Sequence, residues 1–557
     1  MVKFDLVTTH LFIALFMLSC LTALGQGRII TGKVSAADTR ETLPGASILI
    51  KGTSTGTITD INGDFKIEVS DDNAILVVSF MGYETLEIAT AGRQTINIIL
   101  EIQRTMIEEF VVIGYGSVRK SDLSGSVGSI KSEDIVKITS MNPVQSLQGV
   151  VTGVQVTTTS GTPGEKPTVK IRGVGTFNNT QPIYVVDGVI VEDISFLNSA
   201  DIASMEVLKD ASASAIYGAR GANGIIMVTT KMGSISEGKA QYAFSAETGI
   251  QRLAHKIDLL DGREFATITN RIKPGSYNNV DLVPSTDWQD LVFRNAMLQN
   301  IQLSATGASK TTRYYIGGSY FKQDGIVEKS SYERISLKFN NVYTLTDKLR
   351  FGNNITLTPY KQQIAPNVTY QVYRANPTLA PYYDDGSFGV VYNVGNPLAD
   401  LEYSNNFQKG VRGVGNMYLE ADLMPWAGFK SSFGTDATYN KGSNFTPAYT
   451  VYNPDGTISQ QQNLLSRLSK DYYEEFTWLW ENTLNLRKAT GQHAFDGLLG
   501  YTMQRTNSNH IYLAGSNLLR DESNFWYVLP SAIYDPANNV NNIDRIREEV
   551  DLNKYYS

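Results

Sequence analysis

The sequence has 557 residues and a formal net charge of −7 at pH 7, from 48 Lys and Arg against 55 Asp and Glu. This length exceeds that of one ordinary domain, so several folding units are expected. The negative balance argues against a nucleic-acid partner, which Lys and Arg would hold by its phosphates. The abundance of Tyr (30), Phe (22) and Gly (47) favours strands and turns.

The N-terminal residues have the pattern of a signal peptide. Lys3 precedes an apolar run over 11–24, and small residues at its end predict cleavage before Gln26, which makes 1–25 the leader. The run is shorter than the roughly 20 residues of a membrane-spanning helix. Lipidation of Cys20 is an alternative that the flanking residues fit poorly. Because Cys20 is the only cysteine, the mature protein is expected to have no disulfide and no cysteine-ligated metal.

A small β-sandwich is predicted over residues 28–102. Its β-prone runs are 29–34, 46–50, 65–69, 75–80 and 96–100. Turn signals such as Asn62-Gly63 separate them. The stretch LPGASILIKGTSTGTITDINGDFKI resembles the carboxypeptidase-regulatory-like domain, a seven-stranded accessory sandwich. That resemblance implies no peptidase chemistry, because the four histidines are scattered and none has zinc-ligand spacing. We therefore predict no metal, no cofactor and no enzymatic activity.

The most informative stretch is IASMEVLKDASASAIYGARGANGIIMVTTK, residues 202–231. It predicts a strand, a short helix from Asp210 to Ala215 that ends near Gly218, and a second strand over 225–230. Together with the run around PIYVVDG, it resembles the plug domain of TonB-dependent outer-membrane transporters, in particular the SusC/RagA class. The resemblance places the plug at 117–233. The glycines here do not form a complete phosphate-binding motif, so nucleotide binding is not predicted.

Two arginines of the plug are candidate contacts to a surrounding barrel. Arg172 and Arg220 would pair with carboxylates of the barrel wall and hold the plug in place. The alternative, which the sequence leaves open, is that both are solvated or purely structural residues.

Residues 107–116, IEEFVVIGYG, precede the plug and resemble a TonB box region. Two acidic residues are followed by a β-prone apolar run, which can add as a strand to the open sheet edge of another protein. An ordinary first strand of the plug is the alternative. The residues predicted to engage TonB are Ile107, Glu108, Glu109, Phe110, Val111, Val112, Ile113 and Gly114.

Residues 240–557 contain repeated amphipathic segments of transmembrane-strand length. In one of them, Ile335, Leu337 and Phe339 alternate with Ser336 and Lys338. A soluble sandwich would alternate in the same way, but the leader and the plug favour an outer-membrane barrel. The predicted fold class is therefore mostly β: a small β-sandwich, an α+β plug, and an antiparallel transmembrane β-barrel.

The barrel is expected to be incomplete in this chain. Transporters of this class close a barrel of about 22 strands, whereas the segment after the plug offers nine or ten. The C-terminal stretch is polar and lacks the strand with a terminal aromatic that is expected of such barrels. We therefore expect a fragment, a split gene product or a truncated reading frame, which alone should not fold into a working transporter.

The resemblance implies import of oligosaccharides or peptides across the outer membrane of a Gram-negative cell. TonB and its inner-membrane complex would supply energy, and a SusD-like lipoprotein would help to capture ligand. The rival interpretations are a non-transporting surface interaction protein or remnant, and a siderophore receptor. The speculative ligand-binding residues, for which loop packing is the alternative, are Tyr370, Tyr373, Tyr382, Tyr383, Asp384 and Asp385.

Overall fold

The computed structural model describes residues 28–37, 39–53, 55–80, 83–101, 110–113, 116–119, 127–138, 140–175, 180–210, 214–233, 238–490, 493–518, 520–526, 534–535, 540–541 and 545–556. The predicted leader and residues 107–109 and 114 of the predicted TonB box lie outside these ranges. The chain divides into two compact units, residues 1–109 and 110–557. Among the described helices, none is long and apolar enough to cross a membrane.

The first unit is a seven-stranded β-sandwich, as the sequence predicts. Its strands are β1 (Arg28–Ala36), β2 (Ser47–Ile50), β3 (Gly56–Ile58), β4 (Asp64–Val69), β5 (Ile75–Ser79), β6 (Leu86–Ala89) and β7 (Ile98–Leu100). They form one sheet in the order β4-β1-β7 and a second in the order β3-β2-β5-β6. Along β4, Phe65, Ile67 and Val69 are buried and the residues between them are exposed. This period-two pattern packs one face of the sheet onto the core.

The second unit begins with a hairpin and the plug. Its strands are β8 (Phe110–Ile113), β9 (Gly116–Arg119), β10 (Val127–Lys131), β11 (Val154–Thr157), β12 (Thr168–Ile171), β13 (Ile183–Val186), β14 (Val189–Val191), β15 (Ile202–Leu208) and β16 (Ile225–Thr230). The helical segments are α1 (Ser132–Ile135) and 3₁₀ turns at Pro143–Leu147, Ser199–Asp201 and Ala215–Asn223. The main plug sheet has the order β10-β15-β16-β13-β14, and β8 pairs with β9. The α+β plug is thus confirmed.

The stretch 202–231 folds nearly as predicted. The two strands β15 and β16 lie side by side and antiparallel. The predicted helix over 210–215 lies largely outside the described residues. The 3₁₀ segment that is described spans Ala215–Asn223 and is broken at Gly218. Both strands are almost wholly buried. Burial on both faces explains why the two strands, IASMEVL and IIMVTT, are mainly apolar.

The rest of the second unit is dominated by an antiparallel sheet. Its ten described strands are β17 (Gly238–Gln251), β18 (Ala296–Ala308), β19 (Thr312–Asp324), β20 (Ser331–Thr346), β21 (Leu349–Gln363), β22 (Asn405–Met424), β23 (Ala427–Thr446), β26 (Arg467–Thr490), β27 (His493–Ser516) and β30 (Arg545–Tyr556). They pair in chain order. Two small hairpins, β24 (Tyr449–Tyr452) with β25 (Ile458–Asn463) and β28 (Tyr534–Asp535) with β29 (Val540–Asn541), lie between them.

The two ends of this sheet differ in their connections. The turns 309–311, 347–348 and 425–426 are short, and we call this the short-turn end. The connections 252–295, 325–330, 364–404 and 447–466 lie at the opposite, long-loop end. Four helices occupy these loops: α2 (Gly262–Ile272), α3 (Trp288–Val292), α4 (Thr369–Arg374) and α5 (Pro397–Tyr403). Short turns on one side and long loops on the other are typical of outer-membrane barrels.

The burial pattern of the sheet is the reverse of that in a soluble protein. In β20, Arg334, Ser336, Lys338 and Asn340 are at most 2% exposed. The alternating residues Ile335, Leu337 and Phe339 are 37–45% exposed. The polar inner face lies against the plug, and the apolar face, which we call the outer face, points away from it. The structure thereby decides between a barrel wall and a soluble sandwich, which the alternation alone leaves open.

Candidate functional site between the plug and the sheet

The inner face of the sheet and the plug meet through charged and polar side chains. On the plug, the contacts come mainly from the β13–β14 turn and from the segment between β14 and β15. On the sheet, they come from inward positions of β18 to β23. Among the described residues, four groups of contacts contain the buried charged side chains of this interface.

Arg412 of β22 is at the centre of the first group. Its guanidinium donates to both carboxylate oxygens of Asp436 on β23, at 3.0 and 2.7 Å, and to Asp193 of the plug, at 2.9 Å. It also stacks over the Phe196 ring, 4.7 Å from the centroid. All three charged side chains are at most 12% exposed. Burial and good geometry make such charge-assisted hydrogen bonds strong.

Asp193 receives a second cation from within the plug. The ammonium of Lys166 lies 2.7 Å from Asp193 Oδ2. The backbone N–H of Ser195 donates to Oδ1 at 2.9 Å. Burial by itself raises the pKa of Asp193, but the charges of Arg412 and Lys166 outweigh that effect and hold the pKa well below its usual range. Asp193 is therefore an ionised carboxylate buried between two cations.

The second group surrounds the tight turn between β13 and β14. Asp187 and Gly188 both have positive φ, 49° and 92°, as a type I′ hairpin turn requires. Asp187 accepts hydrogen bonds from the N–H and hydroxyl of Thr230, at 2.9 and 2.6 Å. Lys338 of β20, whose side chain is 2% exposed, lies 3.2 Å from the same carboxylate. Asn340, two residues along β20, donates to Thr230 Oγ1 at 2.7 Å.

The third group joins the end of the 3₁₀ turn 199–201 to β18 and β19. Asp201 accepts from the Tyr315 hydroxyl at 2.6 Å and from the Gln302 amide at 2.9 Å. All three side chains are buried. Burial raises the pKa of Asp201 above its ordinary value, although the hydrogen bond from Tyr315 and the charge of Lys338 oppose this.

The fourth group contains a buried arginine. The guanidinium of Arg334 on β20 donates to the plug carbonyls of Met141, at 3.0 Å, and Ser195. It lies 5.4 Å from the centroid of the Phe321 ring. The Nε of Arg334 is buried and has no hydrogen-bond partner in the described structure. The plug carbonyls thus accept hydrogen bonds from part of the Arg334 guanidinium, while its Nε stays unpaired among the described residues.

The two arginines predicted from the sequence lie in different surroundings. Arg172 forms an ion pair inside the plug, with Asp210, and its contact to a wall carboxylate stays a prediction. The Arg172 side chain is 51% exposed and extends from a residue with φ of 57°. Arg220 does reach the sheet, where it donates to the Gln504 amide oxygen of β27. Two ion pairs between plug and wall, Asp187 with Lys338 and Asp193 with Arg412, place the acid on the plug and the cation on the sheet.

A polar cavity of about 270 Å³ lies between the plug and the long-loop end of β17 to β19. The plug segment 158–165 forms one side, and Gln251, Arg252 and Gln323 form part of the other. Gly164 is in close contact with the wall, because a Cβ at that position would come within 2.6 Å of Gln362 and Tyr332. The cavity is smaller than typical small-molecule sites, so it suits one part of an extended polar ligand.

The six residues predicted to bind ligand lie in the connection 364–404, at the long-loop end. Tyr370 of α4 is 60% exposed, with the Arg374 guanidinium 5.0 Å from its ring, whereas Tyr373 packs on an apolar cluster under the loops. Tyr382 packs against Phe388, with ring centroids 5.3 Å apart. Asp384 is exposed.

Two of these six residues have structural roles in the loop. The Tyr383 hydroxyl donates to the carbonyl of Tyr452 at 3.0 Å and accepts from the N–H of Val390 at 3.1 Å. Asp385 accepts two hydrogen bonds from Ser387, which lower its pKa. Both side chains thus take part in loop packing, and ligand binding stays a prediction for all six residues.

The described part of the predicted TonB box is paired in a hairpin. Phe110–Ile113 is antiparallel to Gly116–Arg119, from Phe110 opposite Arg119 to Ile113 opposite Gly116. One edge of this strand is thus occupied by the chain itself. Its role in contacting TonB stays a prediction.

Comparisons with known proteins find relatives of these domains. Residues 30–112 match the model of the CarboxypepD_reg-like domain, and residues 119–225 match the TonB-dependent Receptor Plug Domain. The chain is 34% identical over 516 residues to TonB-dependent receptor P3 of Formosa agariphila, covering 90% of this chain and 50% of that protein. It is 30% identical over 531 residues to TonB-dependent receptor SusC of Bacteroides thetaiotaomicron, covering 86% and 50%. The chain is a homologue of the TonB-dependent receptors.

The fold of this receptor homologue also matches a solved structure. The RagAB peptide importer in its open-open state aligns with a TM-score of 0.69 at 23% identity, over 80% of this chain and 53% of that one. The chain therefore spans about half the length of each of these proteins. The resemblance inferred from residues 202–231 is confirmed.

The plug–sheet interface of this receptor homologue contains hydrogen bonds and ion pairs among the described residues. Within the described ranges, no group of three or more His, Cys, Asp or Glu side chains is placed to hold a metal ion. The wall residues Lys338, Arg412 and Asp436 could have been singled out from the sequence, because each occupies a polar position in a strand of alternating hydrophobicity. Their plug partners Asp187 and Asp193 had no comparable local signal.

Proposed function

We propose that this protein belongs to an outer-membrane importer that takes up oligosaccharides or peptides with energy from TonB. The observation that carries the proposal is the polar interface between the plug and an inward face of the sheet, combined with an apolar outer face. A wall of this kind can stand in lipid, since its backbone hydrogen bonds are made between strands. The plug then occupies the lumen side, where a transported ligand would have to pass.

The chemistry of the interface supports a plug that can be moved. Most contacts between plug and wall are hydrogen bonds and ion pairs, which water can replace when the plug shifts. The plug has its own apolar core, in which Val414 is the sheet residue among the buried members. Displacing the plug would leave that core intact, but it would open one apolar cluster in which Met141 of the plug packs with Leu298, Phe321 and Tyr332 of the sheet. Force applied near the N-terminus of the plug would be transmitted through β8 and the strands that follow.

The proposed ligand class and partners are supported by the similarity to known proteins and by the residues at the long-loop end. RagAB is a peptide importer by its description, and SusC is a TonB-dependent receptor. The polar cavity beside Arg252 and Glu165 and the exposed Tyr370 and Asp384 suit hydroxyl-rich or amide-rich ligands. We include a SusD-like lipoprotein as the partner that covers the long loops, and TonB as the partner of residues 107–114.

Val112 offers a test of the energy coupling. If TonB adds a strand along residues 107–114, Val112→Pro should abolish uptake, because proline removes the backbone N–H and opposes strand pairing. Val112→Thr keeps the N–H and the β-branched shape, and should retain uptake. Cells that make the full-length protein are given fluorescein-labelled mixed oligosaccharides or mixed peptides, and label at the surface and inside the envelope is measured separately.

The outcomes separate transport from surface binding. Import requires internal label with wild type and Val112→Thr, and surface label without internal label for Val112→Pro. Equal surface label and no internal label for all three proteins would instead indicate a non-transporting interaction protein. If uptake by Val112→Pro equals that of wild type, residues 107–114 do not couple the protein to TonB by strand addition.

A further inference from the structure

The outer face carries an unusual row of lysines near the long-loop end. Directly paired positions on five neighbouring strands place these side chains side by side: Lys322 of β19, Glu333 of β20, Lys361 of β21, Lys409 of β22 and Lys441 of β23. All five occupy outward positions of their strands. Four cations and one anion thus lie in a single line across the sheet.

The charges of this row are only partly neutralised. Lys361 pairs with Glu333 at 2.6 Å, and Lys322 lies 3.5 Å from Asp324. Among the described residues, no carboxylate lies within ion-pair distance of Lys409 or Lys441; the Lys441 ammonium instead lies 5.0 Å from the centroid of the Tyr472 ring. Like charges at directly opposed positions destabilise a sheet. Lys409 and Lys441 are such a pair, so an external anion would stabilise them.

An apolar groove lies directly beside the row. It has a volume of about 450 Å³, and its floor includes Ile335, Pro359, Val411 and Tyr439. The lysines 361, 409 and 441 line it as well. One outward position further from the loops, Leu337 and Leu357 are exposed. The groove therefore opens onto the apolar outer face, with cations at one end and hydrocarbon at the other.

We infer that this groove binds a membrane lipid with an anionic, phosphate-bearing head group. The acyl chain would lie on the floor formed by Ile335, Val411 and Tyr439, and the phosphate would accept hydrogen bonds from Lys409 and Lys441. A free phosphate ion would make no use of the apolar floor, and a soluble protein partner would not be expected to contact a surface that faces lipid. The inference rests on the proposed membrane location of the sheet.

Native mass spectrometry of the full chain in dodecyl maltoside tests the inference. The protein is titrated with phosphatidylglycerol or with phosphatidylcholine of the same acyl chains. Wild type should retain phosphatidylglycerol preferentially. The variant Lys409→Gln/Lys441→Gln should bind phosphatidylglycerol at least about tenfold more weakly, because two lysine charges that attract the head group are lost. The matched control Lys310→Gln/Lys348→Gln removes two exposed lysines from turns at the short-turn end, and should bind like wild type.

Several results would overturn the inference. These are equal retention of the two lipids by wild type, unchanged phosphatidylglycerol binding by the double variant, or an equal loss in the control. Displacement of phosphatidylglycerol by an equal concentration of inorganic phosphate would show an anion site without lipid recognition. If the double variant does not fold, the rate of lysine acetylation in the wild-type protein is measured instead. Phosphatidylglycerol should slow the acetylation of Lys409 and Lys441 but not that of Lys310 and Lys348. Equal acetylation of all four lysines would contradict lipid binding in the groove.

Cell fractionation keeps this failure separate from failure of the proposed function. If the wild-type chain is found in the outer-membrane fraction but shows no preference for phosphatidylglycerol, only the lipid groove is lost. If the chain is absent from the membrane fraction, the proposed function fails together with the inference that rests on it.

Discussion

Arg412 joins two strands of the wall to the plug, and its removal should weaken that junction strongly. Arg412→Met leaves Asp193 and Asp436 buried without their shared cation, which is expected to destabilise the folded protein by about 3–5 kcal/mol. The matched control is Arg350→Gln. Arg350 also binds two carboxylates, Glu420 and Asp422, but these three side chains are 30–47% exposed, so the loss should be below about 1 kcal/mol. Guanidinium unfolding in detergent measures the free energy of unfolding of both variants. Equal losses of stability in the two would contradict a special role for Arg412.

Asp201 should give the protein a characteristic pH dependence. Its pKa is raised in the folded state by burial, whereas an unfolded Asp titrates near about 3.9. Between these two values the folded state binds more protons, so stability falls as the pH rises through that window. Above the folded pKa the full penalty of a buried charge is present.

Asp201→Asn removes this titration and keeps one oxygen for the Tyr315 hydroxyl. The variant should therefore lose less stability than wild type as the pH rises from about 4 towards neutrality. Unfolding free energies at a series of pH values provide the comparison. Parallel pH profiles for the two proteins would show that Asp201 does not titrate in this range.

Asp193, whose pKa is lowered, contributes to stability in the opposite sense and only at acidic pH, because its stabilising charge is lost as the pH falls through the folded pKa.

At the scale of single residues, the sequence predicted turns better than partners. The Asp-Gly dipeptide at 187–188 predicts a tight turn, which forms between β13 and β14. That Asp187 would meet Lys338 depends on how the plug docks against β20, which local patterns do not encode. The pairing of Arg172 with Asp210 inside the plug is another contact that depends on tertiary packing.

At the scale of elements, periodicity located the strands but not the helices of the long loops. Strand alternation is a local signal that persists over many residues. The loop helices are short, and such helices depend on tertiary packing rather than on propensity. One signal was present: Asp261 and Glu264 form a reciprocal capping box at the start of α2, which the spacing Asp-x-x-Glu indicates.

Trp288 tests whether the long loops form one packed layer. It begins α3, is 3% exposed, and donates from Nε1 to the Asn376 carbonyl at 3.2 Å. It packs in one cluster with Val372 of α4 and Leu401 of α5. Trp288→Ala should destabilise this layer by about 3–5 kcal/mol and increase proteolysis within 364–404. Tyr370→Ala, at an exposed position of α4, should leave the cleavage rate close to that of wild type. Similar rates for all three proteins would mean that the loops do not depend on this cluster.

At the scale of the whole molecule, the decisive property was burial rather than pattern. The alternation of β20 fits both a soluble sandwich and a membrane wall. The sequence distinguishes them only because a predicted leader and a plug precede the strands in the same chain. The structure adds the missing information, because Arg334 and Lys338 are buried while Leu337 and Phe339 are exposed. Which face is covered is settled by the docking of the plug. No single strand carries that information.

Leu337 and Leu345 provide the corresponding test in lipid. Both point outward from β20 and are 37% and 56% exposed, but Leu337 lies in the middle of the strand and Leu345 near the short-turn end. If the outer face contacts lipid, Leu337→Arg should cost about 2–4 kcal/mol and Leu345→Arg only about 0–1 kcal/mol, because the penalty for arginine falls with distance from the bilayer centre. If the outer face were in water, both substitutions would be nearly neutral, because an exposed leucine contributes little to the stability of the folded protein. Urea titrations of protein folded into phosphatidylcholine vesicles distinguish these cases, and two equally small effects would place the outer face in water.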